Sequence, residues 1–285
     1  MESALAWNWE GRTLRIGLRR LGAGPAVLLL PALSSISTRR EMYPLQERLS
    51  RSFATIAVDW PGFGEEPRPP IRWRPAAYEA FLAHLLAHVV ERPHATIAAG
   101  HAASYLLLAA AARPGSAGRL CLVAPTWRGP LPTVMGERRA LFAALARAGD
   151  LPLLGPLLYR LNVNNFTVRM MARGHVYADR AWLDGPRLAE KLAITRAAGA
   201  RHAALRFVAG ALDPMPSRPV FLAAAARHAD PLLLLYGAET PPRSRAEIEA
   251  LAALPHVRSI RLSAGKLALH EEFPEQVAAA LASFL

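Results

Sequence analysis

Side chains able to do chemistry are few in this chain and unevenly placed. Lysine is scarce in this chain, Lys191 and Lys266 being the only two among 34 basic residues. A lysine whose charge is made costly by burial works as a base or a Schiff-base amine, whereas an exposed one is a solvated loop residue. Lys266, in Ser263-Ala264-Gly265-Lys266, is open to either role. His101, in Gly100-His101-Ala102-Ala103-Ser104, offers a ring for acid–base work or for a structural contact. A denser polar and aromatic group comprises Tyr159, Asn162, Asn164, Asn165, Arg169, Arg173, His175 and Tyr177, with Trp127 and Arg128 ahead of it. Asparagines there suit a pocket roof that orients a ligand by hydrogen bonds amid apolar walls, or else turns and helix caps. Asp213, in Leu212-Asp213-Pro214, reads as the end of a helix. Histidines are scattered, Cys121 is alone, and neither H-E-x-x-H nor paired-cysteine spacing occurs, so no metal site is expected. No G-x-G-x-x-G opens a helix after a first strand and no phosphate-cradling loop is present; the expectation is no cofactor.

These residues sit within a regular alternation. Ala26–Leu30 and Thr55–Val58 are continuous apolar runs, the mark of strands covered on both faces. Thr96–Ala99, Leu120–Ala124, Leu232–Tyr236 and Val257–Leu262 read as further strands. Helical spacing predicts helices at Glu41–Leu49, Tyr78–Val90, Ala102–Ala112, Arg245–Leu254 with Ser244 as N-cap, and Pro274–Leu285. Leu5–Trp9 and Thr13–Arg19 read as an opening hairpin turning at Glu10-Gly11. Strand alternating with helix predicts an α/β architecture, a mostly parallel central sheet with helices on both faces. Residues 129–200 break the rhythm with helix formers and no strand pattern. They predict a helical lid inserted between two parts of the core, 1–128 and 201–285.

Composition narrows the function classes. A hydrophobic fraction of 52% supplies a large core. The longest aliphatic runs, such as Leu232–Leu235, are far too short to cross a bilayer. Met1-Glu2-Ser3-Ala4 lacks the basic-then-apolar order of a signal peptide, which predicts a cytoplasmic protein. The formal charge of +12 is nearly all arginine, spread along the chain without a basic run of five or an aromatic-interleaved basic stretch. Nucleic acid is therefore not the expected partner, and a peripheral anionic surface fits better.

Three stretches, in order, resemble the α/β-hydrolase superfamily over almost the whole chain. Asp59-Trp60-Pro61-Gly62-Phe63-Gly64 follows a strand as the family's D-x-P-G-x-G turn does. Gly100-His101-Ala102-Ala103-Ser104 stands where the family carries G-x-nucleophile-x-G, and Glu271-Glu272-Phe273-Pro274-Glu275 precedes the closing helix. The resemblance implies a nucleophile elbow with its apex at Ala102, where a methyl group replaces the attacking atom. Shifting the register to make Ser104 the nucleophile puts Leu106 where the turn needs a small residue. The family's acid position, in Gly237-Ala238-Glu239-Thr240, holds Thr240. Its histidine position falls at Lys266 or Leu267, with His270 a helix-start residue beyond it. A Ser-His-Asp device works as a unit, so the resemblance implies a member lacking the triad. The amides of Leu33 and Ala103 are expected to converge beside Ala102 as an anion- or carbonyl-binding nest, unless the serines after Leu33 only cap the next helix.

Two readings stay open. One is a protein that binds a mainly apolar small molecule in a lidded pocket lined by Leu33, Ser34, Ala102, Ala103, Trp127, Arg128, Tyr159, Asn162, Asn165, Arg173, His175 and Tyr177. The other is a cofactor-independent lyase, isomerase or cyclase using Lys266 or His101. A hydrolase with a rebuilt triad ranks third. The run Pro125–Pro132 resembles triadless hydrolase-fold chains of photosynthetic bacteria, which implies an isoprenoid or tetrapyrrole ligand.

Overall fold

The computed structural model describes residues 1–228 and 231–285. Its strands are β1 (Glu2–Trp9), β2 (Arg12–Leu21), β3 (Ala26–Leu30), β4 (Ala54–Val58), β5 (Ala95–Ala99), β6 (Arg119–Val123), β7 (Leu232–Gly237) and β8 (Val257–Leu262). They form one eight-stranded sheet in the order β1-β2-β4-β3-β5-β6-β7-β8. The β1–β2 hairpin and the β2–β4 pair are antiparallel, and every later pair is parallel. The expected α/β sheet is thus present. The hairpin turns at Glu10 and Gly11, both at positive φ, as a tight two-residue connection requires.

The helices are α1 (Tyr43–Leu49), α2 (Pro75–His84), α3 (Ala102–Ala112), α4 (Pro130–Met135), α5 (Ala140–Ala148), α6 (Leu154–Asn162), α7 (Asn165–Met171), α8 (Gly185–Thr195), α9 (Ala200–Val208), α10 (Arg218–Ala226), α11 (Pro242–Ala252), α12 (Leu269–Glu272) and α13 (Pro274–Ala282). Several ends differ from the sequence pattern, each for a local reason. A 3-10 turn, Arg39–Met42, precedes α1, with Thr38 accepting from the Arg40 amide. Pro75 starts α2 three residues early, and the helix ends in a wider π-type turn at Leu85–Val89. Pro241 and Pro242 set the start of α11, which places Ser244 inside the first turn rather than at the cap. The last helix stops at Ala282.

Side-chain alternation along the strands divides the core into two layers. Leu28, Leu30, Ile56, Leu120 and Leu234 pack against α2, α3, α10 and α11. Val27, Leu29, Ala57, Ile97, Cys121 and Leu235 pack against α1, α12 and α13. Each fully buried leucine stabilises the fold by about 2 kcal/mol, so the central strands need no side-chain polar bonds to hold the sheet. Helices α4–α8 fall within 129–200, and α9 packs on α4, α5 and α6, so the helical layer continues past residue 200.

Candidate functional site

Strand order reverses between β3 and β5, the crevice where open α/β sheets place their sites. Two chain segments leave the sheet side by side there, Pro31-Ala32-Leu33 after β3 and Gly100-His101 after β5. Trp60, from the turn beginning at Asp59, fixes the first by donating its indole N–H to the Pro31 carbonyl at 2.8 Å. The same turn secures the 3-10 segment. Buried Asp59 accepts from the Arg39 amide at 2.6 Å and pairs with its guanidinium at 2.5 Å. Gly64 lies so close to Asp59 that a Cβ there would stand 2.4 Å from its carboxyl carbon.

The strand-to-helix turn has its left-handed residue at Gly100, φ +51, two positions before Ala102. A Cβ on Gly100 would meet the Ala32 Cβ at 3.1 Å, so this bend points at the β3 segment. Ala102 is already the first residue of α3 and is fully buried. The bend thus falls on a residue without a side chain, a register that the run of alanines around it conceals. Ser104 is also fully buried and donates its hydroxyl to the His101 carbonyl at 2.7 Å inside the first helical turn. The Ala103 amide donates to the Gly100 carbonyl at 3.3 Å, so it does not join Leu33 in an open nest. Leu33 is buried, and Ser34 shapes its own turn, its hydroxyl accepting from Ile36 and its carbonyl from Ser37.

The residues at the other two family positions are also engaged. Thr240 is buried and donates to the Gly237 carbonyl at 2.8 Å. Glu239 accepts from the Gly265 amide at 3.4 Å. Lys266 is half-buried and donates to the Arg173 carbonyl at 2.6 Å, which ties the loop after β8 to the turn after α7. Leu267 packs in the layer of α1 and α13.

Beside this crevice lies a polar cluster that the sequence did not reveal. Glu41, buried in the 3-10 turn, accepts from the Ala32 amide at 2.6 Å and contacts His270 Nε2 at 3.2 Å. Nδ1 of His270 is buried without a hydrogen bond among the described residues. Lys191, on α8, pairs with Glu271 at 3.0 Å, and Tyr177 donates its hydroxyl to the same carboxylate at 2.8 Å. Burial opposes ionisation of Glu41, yet His270, Lys191 and the Ser37 hydroxyl outweigh it and hold the carboxyl below its ordinary range. Lys191 behaves likewise: burial disfavours its charge, but Glu271 and Glu41 raise its pKa. Burial and the adjacent Glu271 push the Tyr177 phenol well above its ordinary value, leaving it a neutral donor. The scarcity of lysine was the only sequence signal for this cluster.

His101 heads a second polar group. Its ring is buried between Tyr105 and Phe207, with Nε2 3.3 Å from the Leu212 carbonyl and 3.5 Å from Asp213. Asp213, rather than merely ending a helix, accepts from the Gly129 amide at 2.8 Å and pairs with Arg138 at 3.0 Å. Here burial dominates, holding the His101 ring below its ordinary value and Asp213 above its own.

The residues expected to line a pocket are dispersed rather than gathered around one cavity. Asn164 caps α7 by accepting from the Thr167 amide, and exposed Asn165 accepts from Arg169. Asn162 ends α6 half-buried. Tyr159 donates to the Thr195 carbonyl, and exposed Arg173 pairs with Asp184. His175 is half-buried in the turn after α7. Trp127 and Arg128 both bond Glu247 on α11, and Arg128 lies over the Trp127 ring. The cleft beside them holds only about 10 Å³, room for one water. A larger open groove of about 520 Å³ runs between β2, the 67–70 segment and the start of α9, lined by Leu14, Arg15, Pro69, Gly199, Arg201 and His202 among others. None of the lining residues expected from sequence faces it. Among the described residues no group of three or more metal-ligating side chains is assembled.

Sheet order, reversal point and turn together describe an α/β-hydrolase core. A model of the alpha/beta hydrolase family matches residues 27–280, and the chain belongs to that family. Solved structures share the fold at low identity. A hydrolase from Pseudomonas aeruginosa is 19% identical, with a TM-score of 0.74 over 99% of this chain and 97% of that one. A haloalkane dehalogenase from Bradyrhizobium elkani is 19% identical, with a TM-score of 0.74 over 100% and 97%. A bromoperoxidase from Bacillus anthracis is 15% identical, with a TM-score of 0.72 over 99% of each chain. No curated protein matches the sequence.

Proposed function

We propose that this family member has given up covalent hydrolysis and binds a mainly apolar small molecule between core and lid. One observation carries the reading: the bend after β5 is glycine at φ +51, flanked by Ala99, a buried His101 and Ala102, so no oxygen or sulfur faces the crevice from it. An elbow without an attacking atom forms no acyl- or alkyl-enzyme. Ser104 is no substitute, because its hydroxyl is committed inside α3. The open groove, at about 520 Å³, falls within the range of small-molecule sites. Its apolar floor and basic rim suit an apolar body with an anionic end, a class that includes carboxylated isoprenoids and tetrapyrroles.

A second reading is favoured by His270. With one ring nitrogen on Glu41 and the other unbonded, it has the partners of a general base in a cofactor-independent proton transfer.

Activity-based labelling separates these readings from hydrolysis. Purified protein treated with a fluorophosphonate probe and a panel of p-nitrophenyl esters is expected to show neither labelling nor turnover, and either result overturns the proposal. Solvent extraction followed by mass spectrometry is expected to release an apolar organic acid, and Ala198→Trp, at an exposed position lining the groove, is expected to abolish its retention.

A further inference from the structure

The lid carries its apolar residues on the wrong side for a simple cover. Leu153 is 89% exposed and Leu161 65%, with Leu157 also exposed between them, so positions four apart on α6 form one outward stripe. Phe166 and Met170 repeat the spacing on α7, Phe166 at 75% exposure, and Leu141 on α5 is 71% exposed. The inward side of α6 is already satisfied, since Gly155 is buried, Tyr159 bonds Thr195, and the helix packs on α9. Outward leucines concentrated in about 30 residues are not the scattered surface apolars of an ordinary monomer.

Charge defines what covers this face. Residues 138–173 contain six arginines and a single carboxylate, Asp150, which is turned inward to His202 and Arg206. Arg147 and Arg160 have no ion pair among the described residues, and both stand on the helices that carry the exposed leucines. A second copy meeting this face about a two-fold axis would bring like charges together. The set Leu, Phe and Met with arginine, without outward Trp or Tyr, differs from the aromatic anchors of protein interfaces. It matches a helix lying in a bilayer surface, where apolar side chains enter the acyl boundary and arginines reach anionic headgroups. No helix among the described residues is long and apolar enough to cross a membrane, so the contact is with one surface.

We infer that the outer face of α5–α7 docks this protein on an anionic lipid bilayer. The inference is independent of what the groove beside Leu14 and Pro69 binds. The test is co-sedimentation of the full chain with vesicles of equimolar phosphatidylglycerol and phosphatidylcholine, against vesicles of phosphatidylcholine alone. Binding is expected only to the anionic vesicles and is expected to weaken with added salt. The triple variant Leu153→Ser/Leu157→Ser/Leu161→Ser and the double variant Arg147→Glu/Arg160→Glu are each expected to lower partitioning about tenfold. Melting should be unchanged in both, because the altered side chains are exposed. Absence of binding to anionic vesicles, or full binding by the leucine variant, overturns the inference. So does a dimer in light scattering that the leucine variant abolishes, which would assign the face to a second copy.

Discussion

Two buried histidine–carboxylate pairs flank the bend at Gly100, and they settle the same conflict in opposite ways. At Glu41 and His270 the partners win: the carboxyl is held below its ordinary range despite burial. At Asp213 and His101 burial wins, with the aspartate raised and the imidazole lowered. Each carboxylate receives one backbone amide, Ala32 for Glu41 and Gly129 for Asp213, so the amide does not explain the difference. The histidine contact explains it first: His270 lies within hydrogen-bonding distance of Glu41 at 3.2 Å, whereas His101 stands 3.5 Å from Asp213. The nearby cations add to this, since Lys191 is 9% exposed and acts through the protein interior, whereas Arg138 is 36% exposed and partly screened by water. Of these two carboxyls, the one held in its charged form is the one whose compensating lysine is buried with it.

Removing the cations is the harshest way to test that contrast. Lys191→Met leaves Glu41 and Glu271 without their buried counter-charge and is expected to cost about 3–5 kcal/mol. Arg138→Met also loses bonds to the Met215 and Pro216 carbonyls, yet solvent reaches the site, and the expected cost is about 1–2 kcal/mol. Urea unfolding at neutral pH measures both. Equal costs would break the comparison.

Acid titration gives a smaller but more specific effect, because the two sites slope oppositely. Glu41 lies below the 4.5 of a free glutamate, so its ionised form stabilises the fold above that value. This contribution is lost as pH falls through the lower folded value. Asp213 lies above the 3.8 of a free aspartate, so its contribution is present below that value and is lost as pH rises through the folded one. Glu41→Gln should therefore be destabilised most at neutral pH and converge on the parent in acid. Asp213→Asn should gain on the parent as pH rises. Melting temperatures between about pH 3 and pH 7 read both trends, and parallel slopes would show that the two carboxyls are not distinguished by their surroundings.

Neither pair was legible in the sequence, and the reason is distance along the chain. Glu41 and His270 are 229 residues apart, and Lys191 and Glu271 are 80 apart. No local periodicity encodes such meetings. The central strands were legible because they are apolar, and Ala26–Leu30 begins and ends where its apolar run does, whereas Val257–Leu262, at the sheet edge, carries two arginines and shows itself by alternation. Ala102–Ala112 was placed at both ends, since alanine and leucine leave little but helix to form. The bend itself was misplaced by two residues. With small residues at every position from Ala98 to Ser104 except His101, sterics allow more than one register, and only the positive φ at Gly100 resolves them. The outward face of α5–α7 was equally hidden. Leucines occupy both sides of α6, so the sequence does not say which side meets the core.

The smallest test compares two tyrosines that serve the two sites. Tyr177 donates to the Glu271 carboxylate, and Tyr105 donates to the Leu212 carbonyl that His101 also contacts. Both rings are buried, so Phe preserves the packing and removes only a hydroxyl. A hydrogen bond to a charged acceptor is worth more, and Tyr177→Phe is expected to cost about 2 kcal/mol. Tyr105→Phe should cost about 1 kcal/mol or less, since Leu212 keeps the imidazole as a partner. The charge on Glu271 should account for the gap. A double-mutant cycle with Glu271→Gln is therefore expected to show coupling for Tyr177 and none for Tyr105. Coupling at both positions would mean that the two sites form a single network across the crevice.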